Sequence, residues 1–374
     1  MADLFFYGTL RYPPLLSLVL GRDAVDIEMV EARLDGHAVF SVRGEDFPMI
    51  GQTVGGQAQG LLVSGLSDED VERLRFYEGG FDFDLDPRGV VTSSGEVRSA
   101  RVFFPDVELW EPDGPWSLDG WIERWGRVTL YAAEEMMAYF GRLETDDVLR
   151  NFPAVRMRAC SREAASMRPS GARVVASDVR MIGRRRIGMS FFGLDEFSLS
   201  HRLHDGRMSE VMQRSALMTA QASVVLPYDP VADTVLLVEQ FRAPVYIAGD
   251  PNPWVWEPVA GFVDPGESPE EAAHREASEE AHLQLKRLER AGGCYSSSGS
   301  STEYLHLFVG IAELERTVSG VGAEGEGEDI RSAILSFDDL MSRVDGGEVN
   351  DLPLLSLALW LARHRPRLRE HAGR

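Results

Sequence analysis

The chain has 374 residues, 44% hydrophobic and 26% charged, a soluble globular balance over a length that exceeds one ordinary core and predicts two domains. Its formal net charge of -22 excludes a general nucleic-acid binder, which needs a basic surplus against phosphates, and no apolar run approaches the ~20 residues of a membrane span. Cys160 and Cys294 lack metal-ligand spacing and read as reduced thiols, and MADLFFYGTLRYPP lacks the basic start and apolar centre of a signal peptide, so a cytoplasmic location is expected.

From Asp3 to about Pro105, short apolar runs (LFFYGTL, HAVFSV, GLLVSGL, VRSARVFF) alternate with Gly and Asp turns. They predict a small strand-rich domain with a helix near Asp68–Arg75. Trp116–Leu143 has helical spacing and many aromatics, and is expected to pack on that domain. Residues 146–175, with the turn-like Met167–Gly171, read as a linker between domains at 1–145 and 176–374. Beyond it, Ala222–Asp229, Thr234–Arg242, Tyr304–Ile311 and Arg331–Phe337 read as buried strands. Asp338–Gly347 and Asp351–Arg365 read as helices, the second with a broad apolar face. The Gly- and acid-rich stretch Gly320–Asp329 is a loop of a kind that is often functional.

The stretch GFVDPGESPEEAAHREASEEAHL, Gly261–Leu283, concentrates carboxylates in an already acidic chain. Ser268-Pro-Glu-Glu271 is a capping box with proline at the first helical position, so a helix is expected from Pro269 to Ala281. Glu276 and Glu280 share a face four residues apart, Glu279 lies beside them, and Arg275 is placed to pair with Glu279. Converging carboxylates repel unless a cation sits among them, and hard divalent ions such as Mg²⁺ take oxygen ligands. For a Glu-rich helix in general, the alternative is a solvated acidic face.

The spacing of Gly261, Glu267, Arg275-Glu276 and Glu279-Glu280 resembles the Nudix box, GX5EX7REUXEEXGU. The resemblance runs from about residue 175 to 365 and looks closest to the ADP-ribose pyrophosphatase branch. It implies an α/β/α sandwich around a mixed sheet that hydrolyses a nucleoside diphosphate sugar with Mg²⁺ or Mn²⁺. For ADP-ribose the products would be AMP and ribose 5-phosphate. Carried onto this chain, Glu276 and Glu280 become the main metal ligands, assisted by Glu279 and the backbone carbonyl of Ala260. Arg275 would orient the glutamates and Glu267 would support the loop. GEGEDIR (Gly325–Arg331) resembles the acidic loop of that branch, with Glu326 as the catalytic base and Glu328 as a further ligand. VEQFR is similar to a strand of that branch, which implies that Arg242 would hold phosphate, and GSSTEY resembles its substrate-orienting loop, with Glu303 at the matching glutamate. Each of these loop residues has a plain surface role as its alternative. The branch implies a homodimer, with Met189–Met218 as the strands that cross to the partner. Two positions depart from the pattern: the box glycine is His282, and Ser298 stands where ADP-ribose hydrolases carry a proline. Histidine tolerates left-handed backbone better than most residues, so the helix is expected to end there intact.

FFYGTLR (Phe5–Arg11) resembles the signature of the γ-glutamylcyclotransferase-like family, a small β-barrel fold, over roughly residues 1–110. The resemblance implies that Tyr7, Gly8, Thr9 and Leu10 bind a glutamyl group through backbone amides. FYEGG places the acidic residue of that family at Glu78, a general base and acid. A ligand-binding or docking role for this domain is the alternative, as is a non-catalytic nucleotide-sugar sensor for the whole chain. The expected fold class is α/β (α+β), a barrel domain followed by a sandwich.

Overall fold

The computed structural model describes residues 1–79, 84–104, 110–169, 171–315, 319–321 and 329–372. It divides into two units, Met1–Val174 with Met189–Phe191, and Val175–Gly188 with Phe192–Arg374.

In the first unit, strands β1 (Ala2–Phe6), β2 (Glu28–Val42), β3 (Pro48–Leu66), β4 (Asp84–Thr92) and β5 (Val97–Phe104) pair in the ring β3-β1-β5-β4-β2-β3, a closed barrel. β6 (Pro112–Pro115) adds to β2. Closure leaves no free edge among the five. Alternation decides which side chains face inward: Phe5 and Tyr7 join the barrel core, while Leu4 and Phe6 face an outer core. That outer core is covered by helices α1 (Pro13–Leu20), α2 (Asp68–Glu78), α3 (Leu118–Met137), α4 (Thr145–Arg150) and α5 (Phe152–Ser166). α2 starts on a capping box between Ser67 and Asp70 and ends at Glu78.

The stretch expected to be a linker, 146–175, instead carries most of α4 and all of α5. α5 buries only Ala154, Val155, Arg158 and Ala159, and Arg158 is held by the buried carboxylate of Glu135 on α3 at 2.6 Å. So narrow a stripe, with an arginine inside it, gives little helical periodicity to read.

In the second unit, α6 (Val175–Asp178) leads into a three-stranded sheet of β7 (Val179–Met189), β8 (Gly193–His201) and β9 (Met212–Met218). The main sheet has the order β14-β15-β10-β11-β17-β16. Its strands are β10 (Ala222–Asp229), β11 (Thr234–Phe241), β14 (Arg287–Tyr295), β15 (Tyr304–Ile311), β16 (Ser319–Val321) and β17 (Ile330–Ser336). β12 (Trp254–Glu257) pairs with β11 and β13 (Val259–Phe262) with β10; the β10–β15 pair is parallel, so the sheet is mixed. The remaining helices are α7 (Ala243–Ile247), α8 (Pro269–Ala281), α9 (Phe337–Asp345) and α10 (Leu352–Ala372).

The period of two in β10 and β11 builds the sandwich. Val224, Leu226, Val235 and Leu237 face a core shared with α9 and α10, while Val225, Leu236 and Val238 face a core shared with α8. The helix expected over Asp351–Arg365 spans Leu352–Ala372 as α10, with Pro366 inside it. Leu368 is fully buried, and Arg365 and Arg369 both bind Asp233, which offsets the hydrogen bond a proline removes.

α8 begins as its sequence requires. Ser268 Oγ accepts from the Glu271 N–H at 3.2 Å, and the Glu271 carboxylate accepts from the Ser268 N–H at 2.8 Å. It ends at His282 in left-handed geometry, φ 52° and ψ 34°, so histidine occupies the conformation a glycine would take. Ser268→Ala removes the cap and is expected to cost the second unit about 1 kcal/mol, measured as a lowered midpoint in urea with an unchanged slope.

Candidate functional site

In the second unit, the strand β13 and the helix α8 approach face to face, and one glycine permits it. A Cβ added to Gly261 would lie 1.8 Å from Glu276 Oε1, so the glutamate carboxylate occupies the space of the missing side chain. Glu276 and Glu280 are 9% and 3% exposed, unusual burial for two carboxylates on one helix face. Glu280 Oε2 accepts the Ala260 N–H at 3.2 Å, which places Ala260 beside it.

Arg275 ties loop to helix. Its Nε and Nη2 donate to the two carboxylate oxygens of Glu267 at 3.0 Å each, Nη2 also to the Phe262 carbonyl at 2.9 Å. Its Nη1 donates to Glu276 at 2.6 Å and Glu279 at 3.2 Å. The hydrogen bonds it donates to Glu267 are the largest cause holding this guanidinium protonated well above the ordinary arginine range. Glu279 is more exposed than Glu276 and Glu280 and faces Arg275. Among the described residues no three acidic, His or Cys side chains already converge as a metal cage, and Arg275 bridges Glu276 and Glu279.

Arg242 follows β11 and binds Glu257, Nη2 to Oε1 at 2.7 Å and Nε to Oε2 at 3.2 Å. Glu257 is a partner that the motif reading missed. Burial pushes its carboxyl up to about 7 against the opposing pull of Arg242. The available signal was an acid inside WVWEPVAG, an otherwise apolar run leading into Gly261. Glu303 sits half-buried just ahead of β15, its N–H donating to Ser301 Oγ at 3.1 Å. Glu326 and Glu328 lie outside the described residues.

The first unit holds two adjoining cavities that share Thr9, Phe47 and Glu78. The smaller is lined by Tyr7, Gly8, Thr9 and Leu10, so the glycine-bearing loop and the acid at the end of α2 meet there. Burial alone pushes the Glu78 carboxyl up to about 7, and burial followed by the charge of Glu78 raises the Tyr7 hydroxyl far above its usual range. A carboxyl that gains and loses a proton near neutrality suits general acid–base work.

Comparison with known proteins matches residues 218–356 to the NUDIX domain and residues 4–118 to the γ-glutamyl cyclotransferase, AIG2-like domain. The ADP-ribose pyrophosphatase of Escherichia coli K12 is 36% identical over 194 residues, 52% of this chain and 92% of that protein. The ADP-ribose pyrophosphatase of Haemophilus influenzae is 33% identical over 49% of this chain and 86% of its own length. The GDP-mannose pyrophosphatase of Yersinia enterocolitica is 30% identical over 44% of this chain and 85% of its own length.

Gly261→Ala is expected to push Glu276 aside and weaken Mn²⁺ binding ~10-fold or more, read by calorimetry on the folded variant. Glu78 carries a pH signature of opposite sign to a salt-bridged acid. Its carboxyl is raised from 4.5 to about 7, so the stability it contributes is full below pH 4.5 and is lost as pH rises through about 7. Denaturation of wild type minus Glu78→Gln across that window should show this loss; a flat difference would count against it.

Proposed function

We propose, for a chain that belongs to the NUDIX family through its C-terminal half, that this half hydrolyses the diphosphate of a nucleotide sugar, with ADP-ribose as substrate and AMP and ribose 5-phosphate as products. The observation that carries the reading is the pair of buried carboxylates, Glu276 and Glu280, facing Ala260 and Gly261. ADP-ribose is favoured by the relatives of that name, and GDP-mannose is the first competitor for the same reason.

The donor set fits a hard divalent cation. Its candidate atoms are carboxylate oxygens and a backbone carbonyl, and the Gly261 gap gives Glu276 room to sit against the strand. Glu276, Glu280, Glu279, the Ala260 carbonyl and Glu328 would hold Mg²⁺ or Mn²⁺. When bound, such ions supply charge neutralisation for the diphosphate and a water of lowered pKa. The protein's own part is positional. Arg275 keeps Glu276 and Glu279 from turning away, with Glu267 fixing the guanidinium in turn. Arg242, oriented by Glu257 through Nε and Nη2, would donate to phosphate oxygens from the rest of its guanidinium. Glu303 orients the substrate, and Glu326 takes the proton of the attacking water. A homodimer through the β7-β8-β9 sheet belongs to the same reading, supported by exposed Met181, Ile182, Leu194 and Leu217 on those strands.

A second reading, for the first unit, is favoured by Glu78 beside the Tyr7–Leu10 loop. The loop would bind the γ-glutamyl end. Glu78 would accept a proton from the α-amine as its nitrogen bonds to the γ-carbonyl carbon, then pass a proton to the departing amine as the amide bond breaks, releasing 5-oxoproline.

Glu280→Gln should lower kcat/KM for ADP-ribose by ~10³-fold, and chelation with EDTA should abolish turnover, with products read by mass. Full activity in either condition overturns the assignment of a metal-dependent site to Glu280. Glu78→Gln should leave ADP-ribose hydrolysis unchanged.

A further inference from the structure

The larger cavity of the first unit is built mostly by residues outside the stretch that matches the γ-glutamyl cyclotransferase domain, which ends at residue 118. Trp121, Val128, Ala132 and Met136 follow one another at helical spacing along α3, so one face of this helix forms a wall. Leu149 of α4 and Phe152 of α5 complete it. The opposite side is Thr9, Phe47 and Glu78, the residues shared with the glutamyl-loop cavity. Any molecule with its head at the Tyr7–Leu10 loop and its reacting bond at Glu78 therefore has its far portion in this chamber.

The chamber's chemistry is apolar. Its charged pair, Arg156 and Asp46, is already matched at 2.7 Å and four-fifths buried, so neither charge is left for a ligand without breaking the other's bond. Trp121 is 5% exposed, and among the described residues its indole N–H has no hydrogen-bond acceptor. About 110 Å³ is open to the centre of a water-sized sphere, several times the ~10–15 Å³ that one water needs. A group of several carbon atoms fits, and a charged group there would be desolvated without a partner.

We propose that α3, α4 and α5 form a leaving-group chamber that selects γ-glutamyl amides whose amine portion is apolar and of aromatic size. The proposal rests on the cyclotransferase reading of the first unit. The reaction it completes is balanced by that reading: the N–H of the α-amine and the amide C–N bond are exchanged for 5-oxoproline and a free amine. What α3, α4 and α5 add is discrimination, because burying a ring contributes binding that a methyl group cannot.

The test uses the full chain and two probes that differ only in the amine, γ-glutamyl-phenylethylamide and γ-glutamyl-methylamide. Binding is read by calorimetry and turnover by release of 5-oxoproline. The phenylethylamide is expected to bind at least ~10-fold tighter, and to be turned over with a correspondingly lower KM. Ala132→Leu, which fills the chamber, and Leu149→Glu, which places a charge in it, should each erase the difference while leaving methylamide binding in place. Circular dichroism confirms the fold of each variant, and Leu149, half-buried where Ala132 is buried, makes the second the safer of the two. Equal affinity for both amides with turnover intact overturns the chamber and leaves the cyclotransferase reading standing. Tight, selective binding of the phenylethylamide without 5-oxoproline overturns that reading and leaves the chamber. Binding of neither amide overturns both, and selectivity retained in both folded variants overturns the assignment of the wall to α3, α4 and α5.

Discussion

The second unit depends on the contact between Gly261 and Glu276. A buried carboxylate resting where a side chain would be is tolerable only with a cationic partner, and Arg275 is that partner. The guanidinium binds Glu267 in the loop, the Phe262 carbonyl on β13 and two glutamates of α8 at once. One side chain therefore sets the distance between strand, loop and helix, and thereby the direction in which Glu276 and Glu280 point. The capping box and the left-handed stop at His282 define the helix ends, but they do not position its acids.

The two units put the same residue type to different uses. Glu276 is buried beside a cation, Arg275, and Glu280 beside a backbone N–H. Glu78 is half-buried, and among the described residues no cation offsets its charge, so desolvation dominates and its carboxyl moves toward neutrality. The first arrangement suits holding positive charge. The second suits moving a proton. Glu257 lies between them: its arginine is in contact, yet burial still wins.

Much of this was legible in the residues. The buried strands at 222–229 and 304–311 appear with the bounds their apolar runs implied, and α8 spans the residues its caps define. The match to NUDIX and γ-glutamyl cyclotransferase domains agrees with the two motifs, REASEE and FFYGTLR, that pointed there. Less visible were α5, whose buried stripe is too narrow and too polar to show periodicity, and the continuation of α10 through Pro366, which depends on a distant aspartate. Glu257 escaped notice because an acid in a short strand carries no spacing signal of its own.

Local matters are written in the order of residues alone: where α8 starts and stops, which side chains of β10 face which side, and which carboxylates share a helix face. These follow from caps and from periods of 2 and 3.6, which act over a few residues. What those carboxylates meet is settled only by folding. The seating of Glu276 on Gly261, the pairing of Arg242 with Glu257 and the apolar wall that α3 turns toward Glu78 join residues far apart in the chain. No local pattern encodes such meetings, because they depend on packing and on the cost of burying charge, both of which exist only once the chain has closed on itself.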